Sequence, residues 1–245
     1  MGSFFTVVGL RIPIGASIIY PPSHCDFCER RLTASELIPV LSFFLRKGRC
    51  HTCSQRIPII YPLIECFTGF LFVFILFYSQ QHHQLLFFPI ALSLSFGAML
   101  IILTISDLAY FLIPNQLLLF FVVLFSIFHI FFTWIPWINA LLGAGVSLAF
   151  LYLASLVIKN GMGYGDIKLF GVLGFVLGWQ MSLLTLFIAC FIGSWVTLVL
   201  LLIHKKKRKT PIPFVPFISI GALIAYFYGD TVLQIYMSFM KNALF

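Results

Sequence analysis

Two isolated carboxylates and four paired thiols are the groups in this chain best placed to do chemistry. Asp166 lies in Gly161-Met162-Gly163-Tyr164-Gly165-Asp166-Ile167-Lys168, a glycine-rich stretch between two long apolar runs. Asp107 ends another apolar run and is followed by Ile113-Pro114-Asn115. An ionised carboxylate inside a bilayer costs roughly 2.5–3.5 kcal/mol on insertion scales, so an aspartate there needs a reason. Two carboxylates that share a site cannot both ionise easily. One keeps its proton and the other acts as base, a pair able to activate water and protonate a leaving amine. Gly163 and Gly165 let the backbone bend and let another chain come close. Plainer readings stand beside this one. Asp166 precedes an apolar run and would serve as a helix N-cap, and Asp107 would serve to cap the following loop or to pair with Lys159.

The thiols form two C-x-x-C pairs, Cys25-Asp26-Phe27-Cys28 and Cys50-His51-Thr52-Cys53, with 21 residues between them. Each pair is a knuckle that presents two thiolates to one metal, and two knuckles make a closed tetrahedral site of the structural zinc kind. The alternative is a pair of disulfides, which a reducing cytoplasm disfavours. Four cysteines leave no open position for a catalytic metal, and His51 is read as a bystander. His82 and His83 fall in a short turn and read as solvated; Cys66 and Cys190 sit in apolar runs and read as packing residues.

The elements that must position these groups are membrane helices. Of 245 residues, 61% are hydrophobic and 9% charged, which no soluble domain tolerates. Residues 11–57 form the one long polar stretch, and apolar runs follow at about 58–79, 85–106, 113–133, 137–158, 167–179, 181–203 and 211–229. Only ten residues precede Arg11, too few for a span of ~20, so a short first helix or a start downstream of the true one is expected. This segment lacks the basic region and small-residue site of a cleavable signal. The fold expected is therefore an all-α polytopic membrane protein of about eight spans. Its expected parts are a truncated first helix at 1–10, a cytoplasmic zinc-type loop with four cysteines at 11–57, and a membrane domain at 58–245.

The net charge of +8 is explained by topology rather than by nucleic acid. With residues 11–57 in the cytoplasm and the chain alternating, 14 of the 15 Lys and Arg residues fall on or near that side, leaving Lys241 outside. Trp134, Trp137 and Trp179 then mark the outer interface, and the run His204 to Lys209 is a topology anchor near anionic lipid. In this orientation Asp107 and Asp166 both lie at cytoplasmic helix ends. Pro211-Ile212-Pro213-Phe214-Val215-Pro216-Phe217 opens the last run, either lining the same cavity or making an ordinary helix start. A scaffold or transporter with a zinc-stabilised loop is the competing class. A transporter should show internal repeats or matching broken helices, and no convincing repeat is seen.

These residues together resemble the prepilin leader peptidase/N-methyltransferases of the GxGD class of membrane aspartic proteases. The resemblance rests on Gly2-Ser3-Phe4, Pro21-Pro22-Ser23-His24-Cys25 through Cys28, and Glu36-Leu37-Ile38-Pro39-Val40-Leu41-Ser42. It continues through Gly48-Arg49-Cys50 to Cys53, Tyr61-Pro62 with Glu65, Asp107 with Ile113-Pro114-Asn115, Gly163-Tyr164-Gly165-Asp166, and Ile212-Pro213-Phe214 with Pro216-Phe217. The compact length looks most like the late competence type of Gram-positive bacteria. The resemblance implies removal of the leader from prepilins or pseudopilins at the cytoplasmic face of the cell membrane. It also implies S-adenosylmethionine-dependent methylation of the new N-terminus. Asp107 and Asp166 would then be the catalytic pair, with Gly163 and Gly165 receiving the substrate backbone. Glu36 and Glu65, bordering the polar loop, are candidates to hold the methyl donor or the new amine. Val215 stands where many relatives have glycine. No glycine-rich nucleotide loop marks a cofactor site.

Overall fold

The computed structural model describes residues 2–25, 27–81, 87–157, 162–204 and 212–244. The expectations for Lys159, Gly161, His82, His83, Pro211 and the run Lys205 to Lys209 lie outside the described residues. Among the described residues the chain is helical, with only isolated bridges in the polar stretch. It divides into two compact units, 1–110 and 111–245.

In the first unit a short helix α1 (Gly2–Arg11) is followed by the polar stretch, which carries a five-residue helix α2 (Leu41–Leu45). Two long apolar helices follow, α3 (Ile60–Gln81) and α4 (Phe87–Tyr110). Though only 10 residues long, α1 is firmly seated. Gly2, Phe5, Thr6 and Gly9 share one buried face, the spacing of residues stacked along a helix. A Cβ on Gly2 would lie 2.8 Å from Glu65 Cα on α3, and one on Gly9 would lie 2.8 Å from Ile105 Cβ on α4. The missing side chains thus let α1 dock backbone-close on both neighbours, as small residues do between membrane helices. Arg11 then closes the entry to the polar stretch, its Nη1 donating to Ser17 O (3.1 Å) and Pro21 O (2.6 Å).

The second unit holds α5 (Asn115–Phe131), α6 (Trp137–Val157), α7 (Tyr164–His204) and α8 (Val215–Leu244). The runs expected at 167–179 and 181–203 are two helices broken at Gly178, whose φ of 78° and ψ of 171° only glycine adopts readily. A 41-residue helix would otherwise run about 60 Å, twice the thickness of the hydrocarbon layer. The break frees carbonyls of the last turn before it, and Trp134 Nε1 donates to one of them, Val176 O, at 2.8 Å. Counting α7 as its two halves, the eight apolar segments expected are present. Among the described residues five helices are long and apolar enough to cross a membrane, while α1 and α5 are shorter. The last helix runs well past residue 229, its expected end, to Leu244. Pro216 falls in its first turn, where a missing N–H costs nothing, so this proline is part of an ordinary helix start; Val215 is fully buried.

Helices α6 and α7 cross where Gly143 meets Gly174, each so close that a Cβ would collide with the other's carbonyl oxygen. Ser147 Oγ and Ser182 Oγ hydrogen-bond beside that crossing at 2.6 Å. Backbone cannot yield as a flexible side chain can. Gly174→Ala is therefore expected to destabilise the second unit by about 3 kcal/mol, the upper range of overpacking, read as a lower midpoint of thermal unfolding in detergent. Nearby, His129 of α5 is fully buried, and neither ring nitrogen has a hydrogen-bond partner among the described residues. Its ring lies 4.4 Å from that of Trp134 and 4.1 Å from that of Trp137. Sequence pattern does not single out this residue, because a lone histidine in an apolar helix has no spacing to read.

Candidate functional site

The four cysteines converge. Their sulfurs lie within 4.8 Å of one another, with Cys25 and Cys53 3.8 Å apart and Cys28 and Cys50 3.9 Å apart. All six cysteines are free thiols. Zn–S bonds of about 2.3 Å in a tetrahedron give sulfur–sulfur edges of about 3.8 Å, so the cluster has the dimensions of a closed four-thiolate metal site. The two knuckles fold alike. A bridge joins His24 to Arg31 and another joins Arg49 to Arg56. The residue after each second cysteine, Glu29 and Ser54, has a positive φ, 54° and 56°. Backbone N–H groups of Cys53 and Thr52 point at the Cys50 sulfur and bring its pKa down to about 6. At Cys53 the Gln55 N–H is outweighed by burial and the neighbouring sulfurs, which push the pKa up to about 11. Cys50 is therefore the sulfur of the pair that ionises first. His51 is exposed.

A cavity of about 520 Å³ opens within the first unit. Glu36 and Glu65 both line it, with Arg11, Arg46, Arg49, Arg56, Tyr61 and the knuckle residues Cys25 and Cys50. Glu36 and Glu65, grouped from the resemblance, do lie on one cavity, whereas no spacing in the sequence brings the arginines to it. The two glutamates have different surroundings. Glu36 is engaged on both oxygens. Oε1 takes Arg30 at 2.6 Å and Arg46 at 3.5 Å, and Oε2 takes the Thr33 N–H at 2.9 Å and its hydroxyl at 3.0 Å. The Thr33 N–H first, then Arg30 and the Thr33 hydroxyl, outweigh burial and hold the Glu36 pKa down to about 2 from an ordinary 4.5. Glu65 Oε2 accepts the Val40 N–H at 2.7 Å, and its other oxygen has no protein partner among the described residues.

The Glu36 clasp makes a pH prediction. A carboxylate whose pKa is lowered on folding stabilises the fold above its unfolded value, and that stabilisation is lost as pH falls through the folded value. Amide exchange over residues 33–46 should therefore be faster in Glu36→Gln than in the parent above pH about 4.5. The difference should shrink as pH falls toward 2; a gap that stayed constant with pH would show that Glu36 is not held ionised.

The aspartates occupy helix ends of opposite electrostatic character. Gly163 O accepts the N–H groups of Asp166 (3.1 Å) and Ile167 (3.3 Å), which places Asp166 in the first turn of α7 rather than at its cap. Peptide dipoles favour an anion there. A Cβ on Gly163 would stand 3.2 Å from Asp166 Oδ2, and one on Gly165 3.1 Å from Ile113 Cβ. The glycines therefore leave room for the carboxylate and for the Ile113 side chain. Lys168 Nζ donates to Asn115 Oδ1 at 2.9 Å, tying the start of α7 to the start of α5. Asp107 is 7% exposed in the last turn of α4, where the dipoles oppose an anion. It lies within the helix, three residues before its end at Tyr110. The two aspartates belong to different units.

Fold and site thus define a polytopic helical membrane protein with a four-cysteine polar domain and a Gly-x-Gly-Asp helix start. Residues 1–79 match the bacterial peptidase A24 N-terminal domain and residues 94–198 the type IV leader peptidase family. The chain belongs to the type IV leader peptidase family. It is 38% identical over 237 residues to the prepilin leader peptidase/N-methyltransferase of Bacillus subtilis (strain 168), covering 97% of this chain and 94% of that protein. The protein of the same name from Pseudomonas putida is 33% identical over 269 residues, covering 98% and 90%. That of Aeromonas salmonicida (strain A449) is 34% identical over 227 residues, covering 91% and 76%. No solved structure matches the chain at a significant level.

Proposed function

We propose that this chain is a membrane aspartic endopeptidase that removes the leader of prepilins or pseudopilins at the cytoplasmic face. Asp107 and Asp166 are its catalytic pair. The observation that carries this reading is the Gly163-Tyr164-Gly165-Asp166 turn, where the carboxylate lies over a glycine in the first turn of a membrane helix. Asp166, seated where an anion is favoured, takes the proton of the attacking water. Asp107 gives its proton to the leaving amine. The water oxygen bonds to the scissile carbonyl carbon and the peptide C–N bond breaks. Gly163 and Gly165 give the extended substrate segment access to the backbone. Charge counting puts both helix ends on the cytoplasmic side, where a substrate with a basic leader would present its cleavage point.

Cleavage of a pseudopilin precursor in membranes holding this chain tests the reading. A trimmed product is expected, and intact precursor beside correctly inserted protein would overturn it. Gly163→Ala should slow cleavage several-fold by pushing the Asp166 carboxylate aside by a few tenths of an ångström, without changing the amount of protein in the membrane.

The same chain is proposed to methylate the new N-terminus, using the cavity of the first unit. Its volume suits a ligand of nucleoside size. Arginines face it for the carboxylate of S-adenosylmethionine, and Glu65 faces it for a cationic group. When bound, that cofactor supplies an electrophilic methyl group. Glu65 orients the incoming α-amine, and Glu36 keeps Arg30 and Arg46 in place. The four-cysteine cluster holds Zn2+ as a structural ion, fixing the wall that carries Cys25 and Cys50. Glu65→Gln should abolish the methyl mass gain of the product while cleavage continues.

A further inference from the structure

We propose that α2 is a membrane-contact element, lying in the anionic headgroup region of the bilayer that α3 and α4 cross. This five-residue helix has two faces. Ser42, Phe43 and Arg46, the residue after it, turn inward and line the cavity, and the Phe43 ring covers Gly48. Leu41, Phe44 and Leu45, spaced to share one side of a helix, turn outward and are 53%, 69% and 75% exposed. Three large apolar side chains side by side form a patch that a water-facing surface rarely keeps.

Two observations say what covers it. First, the charge around the patch is of one sign. Lys47, Arg49 and Arg56 follow it and are exposed, the two arginines also bordering the cavity, and no acidic residue occurs between Glu36 and Glu65. Apolar side chains beside clustered Lys and Arg are the pattern of elements that sit at an anionic lipid surface. Second, the polar stretch leaves α1, which packs on the membrane-length helices α3 and α4, at Arg11 and enters α3 at Ile60, so both its ends are held at the bilayer. Ile59 and Ile60, at that re-entry, are also exposed apolar residues. A small domain held at both ends against a membrane, with an apolar face and a cationic rim, presses that face into lipid. The contact would brace the cavity wall formed by the opposite side of the same helix.

Photo-crosslinking tests this without relying on enzyme activity. A benzophenone amino acid is placed at Phe44, or as control at Thr52 in an exposed knuckle tip, in the full chain. The protein is reconstituted in vesicles of phosphatidylethanolamine and phosphatidylglycerol. Lipid adducts, read by mass spectrometry, are expected several-fold more often at position 44 than at position 52. Equal yields at the two positions would overturn the proposal, as would adducts from position 44 to a second protein chain, whether another copy or an added prepilin. A second readout is tryptic cleavage at Arg46 and Lys47 in those vesicles. It is expected to be several-fold faster in a Phe44→Asp, Leu45→Asp variant that still binds metal. Unchanged cleavage in that variant would also overturn it.

Discussion

Asp107→Asn and Asp166→Asn are each expected to lower precursor cleavage by about 10²–10⁴-fold, the usual worth of a general acid or base. Asparagine matches aspartate in volume and keeps a polar head, so neither change opens a cavity. Asp107 is 7% exposed, and replacing it removes an acid group from a setting that opposes an anion, so the protein should remain inserted and folded. Asp166→Asn leaves the Gly163 carbonyl bonds of the first turn unchanged, since the backbone N–H groups make them. If the two act as one pair, the double variant should cleave no more slowly than either single one, because the first change already disables the unit. The measurement is initial cleavage rate in membranes of matched protein content. Near-parent cleavage by either single variant would show that the pair is wrongly assigned.

Cys50→Ser is expected to reduce bound zinc from about one per chain to nearly none and to open the polar stretch to protease. Structural zinc contributes about 10–16 kcal/mol in small finger domains, more than so short a stretch draws from its own core. Cys50 is 8% exposed and Cys25 with Cys50 lines the cavity, so methylation should fall with the metal. Metal content by mass spectrometry and limited trypsin digestion at Arg30, Arg31 and Arg49 provide the readout. Full metal content and unchanged digestion would exclude a closed site that includes Cys50. The disulfide alternative is already set aside by the free thiols and by 3.8 Å and 3.9 Å separations.

The sequence alone determined what local pattern can encode. Long apolar runs specify helices because a bilayer leaves the backbone no other partner for its hydrogen bonds, and α3 to α6 fall where composition put them. Two C-x-x-C knuckles specify a four-sulfur cluster because the ligand geometry is built into each short turn. Gly163-Tyr164-Gly165-Asp166 specifies a helix start in the same way. The tertiary structure decided matters of long-range packing. Gly178 turned two expected spans into one broken helix, a conformation that neighbouring Trp134 helps to satisfy. Glu36 and Glu65, alike in sequence as loop-bordering acids, were separated into a clasped ion pair and a cavity carboxylate, because Arg30, Arg46 and Val40 reach them only in the fold. Whether a leucine in a short polar-domain helix faces inward or outward depends on what lies across from it. The outward side of α2 therefore became visible only once the cavity on its other side had formed.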